Sequence, residues 1–357
     1  MSDIRGIFSL KLVYNKKIRD EWIFLDDVWI LVTSIDANAF PNTGYFGGGN
    51  PGSRSTMDKV TYSTDTTAAV PGAFLSVGRS GLAATGNSTA GYFGGGAGFP
   101  SQNSTMDKVT YSSDTTAAVP GAFLTAGSRY LAATGNSIAG YFGGGYGPGL
   151  DPRSSIDKVT YSSETTATVP GAPLSAARYR LAATGNSSAG YFGGGNPPSP
   201  GLSSVDRSTM DKVTYSSDTT AAVPGAFLSS NRTATGATGN STAGYFGGGQ
   251  AYGPSLFSRM DKVTYSTDTT AAVPGASLSV ARTQLTATGN STAGYFGGGT
   301  GGPSPGRSTM DKVTYSSDTT AAVPGADLSV ARRYLAASSA RANALPATVA
   351  SPTPNIV

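Results

Sequence analysis

Leu82-Ala-Ala-Thr-Gly-Asn-Ser-Thr-Ala-Gly-Tyr-Phe-Gly-Gly-Gly96, followed after 10 residues by Asp107-Lys-Val-Thr-Tyr-Ser-Ser-Asp-Thr-Thr-Ala-Ala-Val-Pro-Gly121, is one copy of a unit that recurs along the chain. The Gly-Tyr-Phe-Gly-Gly-Gly block occurs six times, with its tyrosine at Tyr45, Tyr92, Tyr141, Tyr191, Tyr245 and Tyr295. The Asp-Lys-Val-Thr-Tyr-Ser block also occurs six times, beginning at Asp58, Asp107, Asp157, Asp211, Asp261 and Asp311. Each of the first five aspartates lies 34 residues before the next block's tyrosine. Between the glycine triplet and the aspartate stand 8, 10, 11, 15, 11 and 11 residues, so one loop holds all the length variation. Self-similarity at a period near 50 residues is the mark of a repeat architecture.

Each unit reads as four short strands. Strand a is Leu82–Thr85, ended by Gly86-Asn87, and strand b is the Ala90-Gly-Tyr-Phe-Gly-Gly run that leads into the variable loop. Strand c, Met57–Tyr62, alternates with period two, placing Val60 and Tyr62 on one face and Met57 and Lys59 on the other. Strand d, Thr67–Val70, is closed by Pro71-Gly72, and the connection from c to d suggests an Asx turn at Asp65. Strands this short with regular turn signals predict an all-β fold, and four strands in about 50 residues match a propeller blade.

The unit resembles the kelch repeat: a Gly-Gly doublet after an aromatic strand, a Val-x-Tyr strand, then an arginine about seventeen residues on. Arg79, Arg178, Arg232, Arg282 and Arg332 hold that place, Arg129 is displaced by one, and Val70-Pro71-Gly72 stands where kelch units usually carry a tryptophan. The first unit begins at strand b, and the last is followed by Arg332-Arg-Tyr-Leu-Ala-Ala-Ser338, a strand a without its strand b. The C-terminal strand can therefore complete the first blade and leave no open edge. The expectation is a six-bladed, kelch-like β-propeller over 38–340, with an N-terminal segment 1–37 and a disordered Ala/Pro/Ser-rich tail over 341–357.

Composition narrows the chemistry. The 357 residues include 49 glycines and 21 prolines but no cysteine and no histidine. That removes disulfides, thiol nucleophiles, Cys-based metal sites and the usual general base near neutral pH. With 25 basic and 21 acidic residues the net charge is only +4, and no basic run suggests a nucleic-acid partner. No charged and apolar leader opens the chain, and the most apolar stretch, Trp22–Val32, carries Asp26 and Asp27 and is too short to insert in a membrane. The glycine triplets lack the lysine and helix of a phosphate loop. Asp58 and Lys59 are neighbours on a strand, face opposite ways and read as solvated structural charges. One aspartate per c–d turn, as at Asp65, is a thin set for calcium. No cofactor and no metal are expected.

Strand parity locates the variation. In an antiparallel blade the b–c loop and the d-to-a connection emerge on one face of the disc. Both are where the copies differ, so one face is diversified on a constant scaffold. The expected ligand contacts there are Phe99, Tyr146, Asp151, Arg153, Asp206, Arg207, Tyr252 and Phe257 from the b–c loops. Beside them lie Arg129, Tyr130, Tyr179, Arg180 and Tyr334 from the d–a connections. Aromatic faces and planar guanidinium groups suit sugar rings and other surface polymers. Simple drift of unpacked loops is the competing account.

The first residues break the repeat. Ser9 suits an N-cap, and Leu10, Val13, Tyr14, Ile18 and Trp22 form a helical stripe. Phe8, Leu10, Tyr14, Ile18 and Trp22 are the expected attachment residues. The Gly6-Ile-Phe-Ser-Leu10 start, Tyr14 and Trp22 resemble a short module of structural and tail-fibre-type proteins of tailed, especially marine cyanobacterial, bacteriophages. The Gly-Tyr-Phe-Gly-Gly-Gly arrays look like those of such proteins too. The resemblance implies a non-enzymatic virion component of the fibre or spike type, present in multiple copies or as a homo-oligomer beside other virion structural proteins. Its variable loops would bind a host-surface polysaccharide or protein. A purely structural decoration protein and a glycan-degrading propeller enzyme stand as alternatives; the latter needs paired carboxylates near the axis.

Overall fold

The computed structural model describes residues 13–15, 20–25, 28–32, 42–98, 101–198, 208–251, 253–302 and 306–340. The chain divides into two compact units, 41–345 and 1–40 with 346–357. The larger unit holds six four-stranded antiparallel sheets. Blade 2, with strands 83–86 (a), 90–94 (b), 106–110 (c) and 115–118 (d), shows the pattern, and blades 3 to 6 repeat it in sequence order. Blade 1 takes b, c and d from 43–47, 57–61 and 66–69 and its strand a from Ala336–Ser339. In that closure Ala336 pairs with Gly47 and Ser339 with Gly44. The ring is thus sealed by the chain's own last described strand, as the truncated ends of the repeat predicted.

Strands a of neighbouring blades pack against one another around the axis, which is why they read Ala-Ala-Thr-Gly rather than Val or Ile. They enclose a channel of about 110 Å³ lined by alanines such as Ala83, Ala132 and Ala182. Close approach also explains the glycine triplet: Gly144 sits at φ +69°, where an added Cβ would meet the Arg178 carbonyl at 2.7 Å. Strand d, by contrast, is largely exposed.

The apolar core is six clusters lying between blades. Phe93 and Val109 of blade 2, for example, pack with Tyr45, Met57 and Leu75 of blade 1. The two tyrosines of each unit form a seam, the strand-b ring stacking on the ring that ends strand c of the next blade. Tyr45 and Tyr111 lie 5.2 Å apart and Tyr191 and Tyr265 5.0 Å apart. The strand-b phenol donates to the c–d turn carboxylate of that next blade, and the strand-c lysine pairs with it. Lys158 reaches Asp218 at 2.7 Å, and Lys108 reaches Glu164 at 2.6 Å.

Several expectations are corrected here. Asp65 is not folded onto its own turn; at φ +53° it accepts Tyr295 Oη and Lys312 Nζ from blade 6. The Asx turn lies instead between a and b, where Asn87 Oδ1 accepts Thr89 N at 2.9 Å and Ala90 N at 3.0 Å. Asp58 and Lys59 do face opposite ways, but Asp58 is fully buried against Arg332 and Lys59 bridges to Asp114. The N-terminal helix is replaced, in the residues described, by a three-stranded antiparallel sheet of Val13–Asn15, Asp20–Leu25 and Val28–Val32. Ile23, Val28, Ile30 and Val32, with Trp22, Phe24 and Trp29, are β-branched and aromatic residues that favour strands, outweighing the helical spacing. Tyr14 and Trp22 fall in these strands, with Trp22 paired to Val13. Phe8, Leu10, Ile18 and the tail 341–357 lie outside the described residues.

Candidate functional site

The b–c loops and the d–a connections do share one face, and they are laced together. Ser80 bridges to Ala97, Arg129 to Tyr146, Tyr179 to Asn196, Thr233 to Gln250 and Thr283 to Thr300. Inside this outer lacing runs a second circle. Gly81, Tyr130, Arg180, Ala234, Gln284 and Tyr334, each two residues before a strand a, all take left-handed φ between 55° and 69°. Each donates its N–H to the carbonyl of the one before, from Tyr130 N to Gly81 O at 2.6 Å round to Tyr334 N to Gln284 O at 2.9 Å and Gly81 N to Tyr334 O at 2.7 Å. Five non-glycine residues in the left-handed region cost roughly 1 kcal/mol each. The closed circle of hydrogen bonds at the channel mouth holds them there.

That geometry brings together the d–a residues named from sequence, with Tyr146 of a b–c loop. Tyr334 and Tyr130 flank Gly81, and their rings stand 4.8 Å apart. A side chain at Gly81 would strike Tyr130, its Cβ falling 2.8 Å from Cδ1. The Arg180 guanidinium lies 5.0 Å from the Tyr130 ring, 5.5 Å from Tyr334 and 5.7 Å from Tyr179. Arg129 lies 5.1 Å from Tyr130 and Arg333 5.9 Å from Tyr334. Tyr146 and Tyr179 stack at 3.9 Å. Burial pushes the Tyr334 phenol up to about 12, with Arg180 drawing it back, and burial and Tyr179 raise Tyr146. The Tyr146 and Tyr334 phenols are therefore neutral near neutral pH.

Beside the cluster a groove of about 340 Å³ is lined by Tyr146, Tyr179, Arg180, Asn196, Thr233 and Gln250. It offers aromatic faces, a cation, amides and a hydroxyl. Among the described residues no group of three or more carboxylates could hold a metal.

The other expected contacts are not brought into this cluster. Arg153 lies back across Gly147 in its own loop, Asp151 is exposed at the tip of that loop, and the Phe257 ring is covered by Arg259 at 4.8 Å. Phe99, Asp206, Arg207 and Tyr252 lie outside the described residues. Sequence reasoning missed Gln284, Ala234 and Gly81 of the inner circle, and Asn196, Thr233 and Gln250 of the groove. A usable signal was present: the residue two before each strand a reads Gly, Tyr, Arg, Ala, Gln and Tyr, while the residue after it is leucine in five of the six copies.

Six blades, sealed by a terminal strand and opening on one diversified face, define a β-propeller protein. The solved structure of YjhT has a similar fold, with a TM-score of 0.64 and 12% identity, covering 79% of this chain and 94% of that one. At that identity the likeness speaks for the fold alone. No family model and no curated protein matches the chain.

Proposed function

We propose that this kelch-like propeller is a non-enzymatic attachment component of a bacteriophage virion, using its variable face to bind a host-surface glycan or protein. The observation that carries the reading is the convergence of Tyr130, Tyr146, Tyr179, Arg180 and Tyr334, all from segments that differ between copies, on one face around the axis. Drifting loops have no reason to gather stacked tyrosines and arginines. The kelch likeness rests on the glycine doublets and the repeated arginine, and the phage origin on the Gly6–Leu10 start and the repeat block. A non-enzymatic role is supported by the scarcity of free acids: of the described carboxylates on this face only Asp151, Asp157 and Asp327 have no cationic partner, and Asp157 is buried under donors from Thr125 and Thr168.

Purified protein should adsorb to host cells through this face, and exchanging the loop 196–208 should change the target. Adsorption unchanged after every b–c loop is shortened would overturn the reading in favour of a purely structural decoration protein. Release of sugars from host polysaccharide would overturn it in favour of an enzyme.

A further inference from the structure

Charge is segregated between the two faces of the disc. Each of the six strand-c lysines pairs with a carboxylate at the constant face. Five arginines are buried in pairs with strand-c aspartates. The other described arginines of the propeller all belong to b–c loops or d–a connections, and none makes an ion pair among the described residues. Of these seven, Arg54 stands in the b–c loop of blade 1, Arg153 and Arg307 lie across glycines of their own loops and Arg259 covers Phe257. Arg129, Arg180 and Arg333 instead gather at the channel mouth on tyrosine rings. A net charge of +4 with no basic run gave no hint of this; folding collects the cations by cancelling the rest of the charge elsewhere.

A guanidinium lying on an aromatic ring keeps its in-plane N–H groups free, and those are the groups that grip a carboxylate or sulfate two at a time. The adjoining groove supplies what a sugar ring needs beside its acid: the half-buried Tyr146 and Tyr179 rings for its C–H surface, and the half-buried Gln250 amide for a hydroxyl. Its volume lies at the lower end of the range for small-ligand sites. The arginines are grouped about the axis rather than drawn out along a continuous basic track of the kind that follows a nucleic-acid backbone.

We infer that the partner of this face is an acidic polysaccharide, its carboxylate or sulfate groups held by Arg129, Arg180 and Arg333 and its rings seated on the neighbouring tyrosines. The inference rests on the attachment reading and narrows it.

Full-length protein would be titrated with polygalacturonate, dextran sulfate, neutral dextran and a mixed-sequence DNA duplex. Both acidic polysaccharides should bind, neutral dextran should not, and affinity should fall as salt rises. Arg180→Gln should weaken binding about tenfold, as loss of one charge-assisted contact does. Lys108→Gln, which removes the same charge from the constant face, should leave binding unchanged, and thermal melts of both variants report whether they fold. If Arg180→Gln unfolds, Arg333→Gln serves in its place. Equal binding to neutral dextran, tighter binding to DNA, or full affinity in an Arg129→Gln/Arg180→Gln/Arg333→Gln variant would each overturn the inference. Host adsorption that depends on the b–c loops but not on these arginines would sink the acidic ligand alone; adsorption indifferent to both would sink the attachment reading with it.

Discussion

Five of the six seams between blades are fastened by an arginine, and the seam between blades 2 and 3 is not. At the five, as in Arg79 with Asp107 at 2.6 Å and Arg282 with Asp311 at 2.7 Å, a fully buried guanidinium meets a buried strand-c aspartate. Arg79 also donates to the Phe93 carbonyl at 2.9 Å. At the exception Ser128 holds the arginine's place, and its hydroxyl donates to Gly144 O at 3.3 Å, much as Arg178 donates to Gly194 O at 3.2 Å. The orphaned Asp157 is met by Thr125 Oγ1 at 2.8 Å, Thr168 Oγ1 at 2.8 Å and Thr125 N at 2.9 Å. The equivalent residues in the other copies are serine for Thr125 and alanine for Thr168. Thr168 adds a hydroxyl that the common seam lacks, while Thr125 donates as the serine in its place can, Ser329 Oγ reaching Asp58 at the closing seam. A buried carboxylate does not require a counter-ion, only enough donors, and Asp157 at 9% exposure has the slight solvent access that eases the exchange. The displaced Arg129 is released to the axial cluster.

Alkali should break all six seams at once. Burial raises the phenols of both seam tyrosines in every unit, Tyr45 and Tyr111 for example. Their folded-state values lie above the unfolded value of about 10, so their contribution is complete below that pH and is lost as pH rises beyond it, at about 1.4 kcal/mol per pH unit for each tyrosine. Circular dichroism should show one cooperative loss of structure above about pH 10; a protein unaltered at pH 12 would refute the seam assignment. Next in size, Arg232→Met should cost about 3–5 kcal/mol in chemical denaturation, because it leaves Asp261 buried and uncompensated. Thr168→Ala at the arginine-free seam should cost about 1–3 kcal/mol by removing one donor from Asp157; no measurable change would mean that the hydroxyl does not replace the guanidinium. Rebuilding the common seam with Ser128→Arg, Thr125→Ser and Thr168→Ala should leave stability within about 1 kcal/mol of the parent, since a buried ion pair and a well-donated carboxylate are nearly equivalent.

The smallest effect belongs to the constant face. Lys158→Met should cost less than about 1 kcal/mol, its pair with Asp218 being about one-third exposed. Burial raises the Asp218 carboxyl, but donation from Lys158 and Tyr141 outweighs it and leaves the group below the usual carboxylate range. With a folded value below the unfolded one, this contribution is present above about pH 4 and is lost as pH falls further. Acid titration of parent and Lys158→Met should differ only in that window.

The blade, the ring and the shared variable face were legible because they depend on period, count and parity, which are local or additive properties. The repeated arginine was visible as a position, but its partner was not. Arg332 and Asp58 lie at opposite ends of the array, and no spacing rule joins residues brought together only by closure. The same holds for Asp65, whose turn looked self-contained until blade 6 supplied Tyr295 and Lys312. Near the N-terminus two periods competed, and the strand preference of Ile, Val and the aromatics outweighed the helical one.

The sequence by itself determined the unit, the number of blades, the closing strand and the segments free to vary, because repetition and alternation are written along the chain. Only the tertiary structure decided which charges cancel and which remain. Each strand-c lysine and each repeated arginine finds its acid across a seam, between residues a blade or a whole ring apart. Of the seven described propeller arginines left without an ion pair, the three on tyrosine rings at the channel mouth are placed there by the circle of backbone hydrogen bonds that holds their connections.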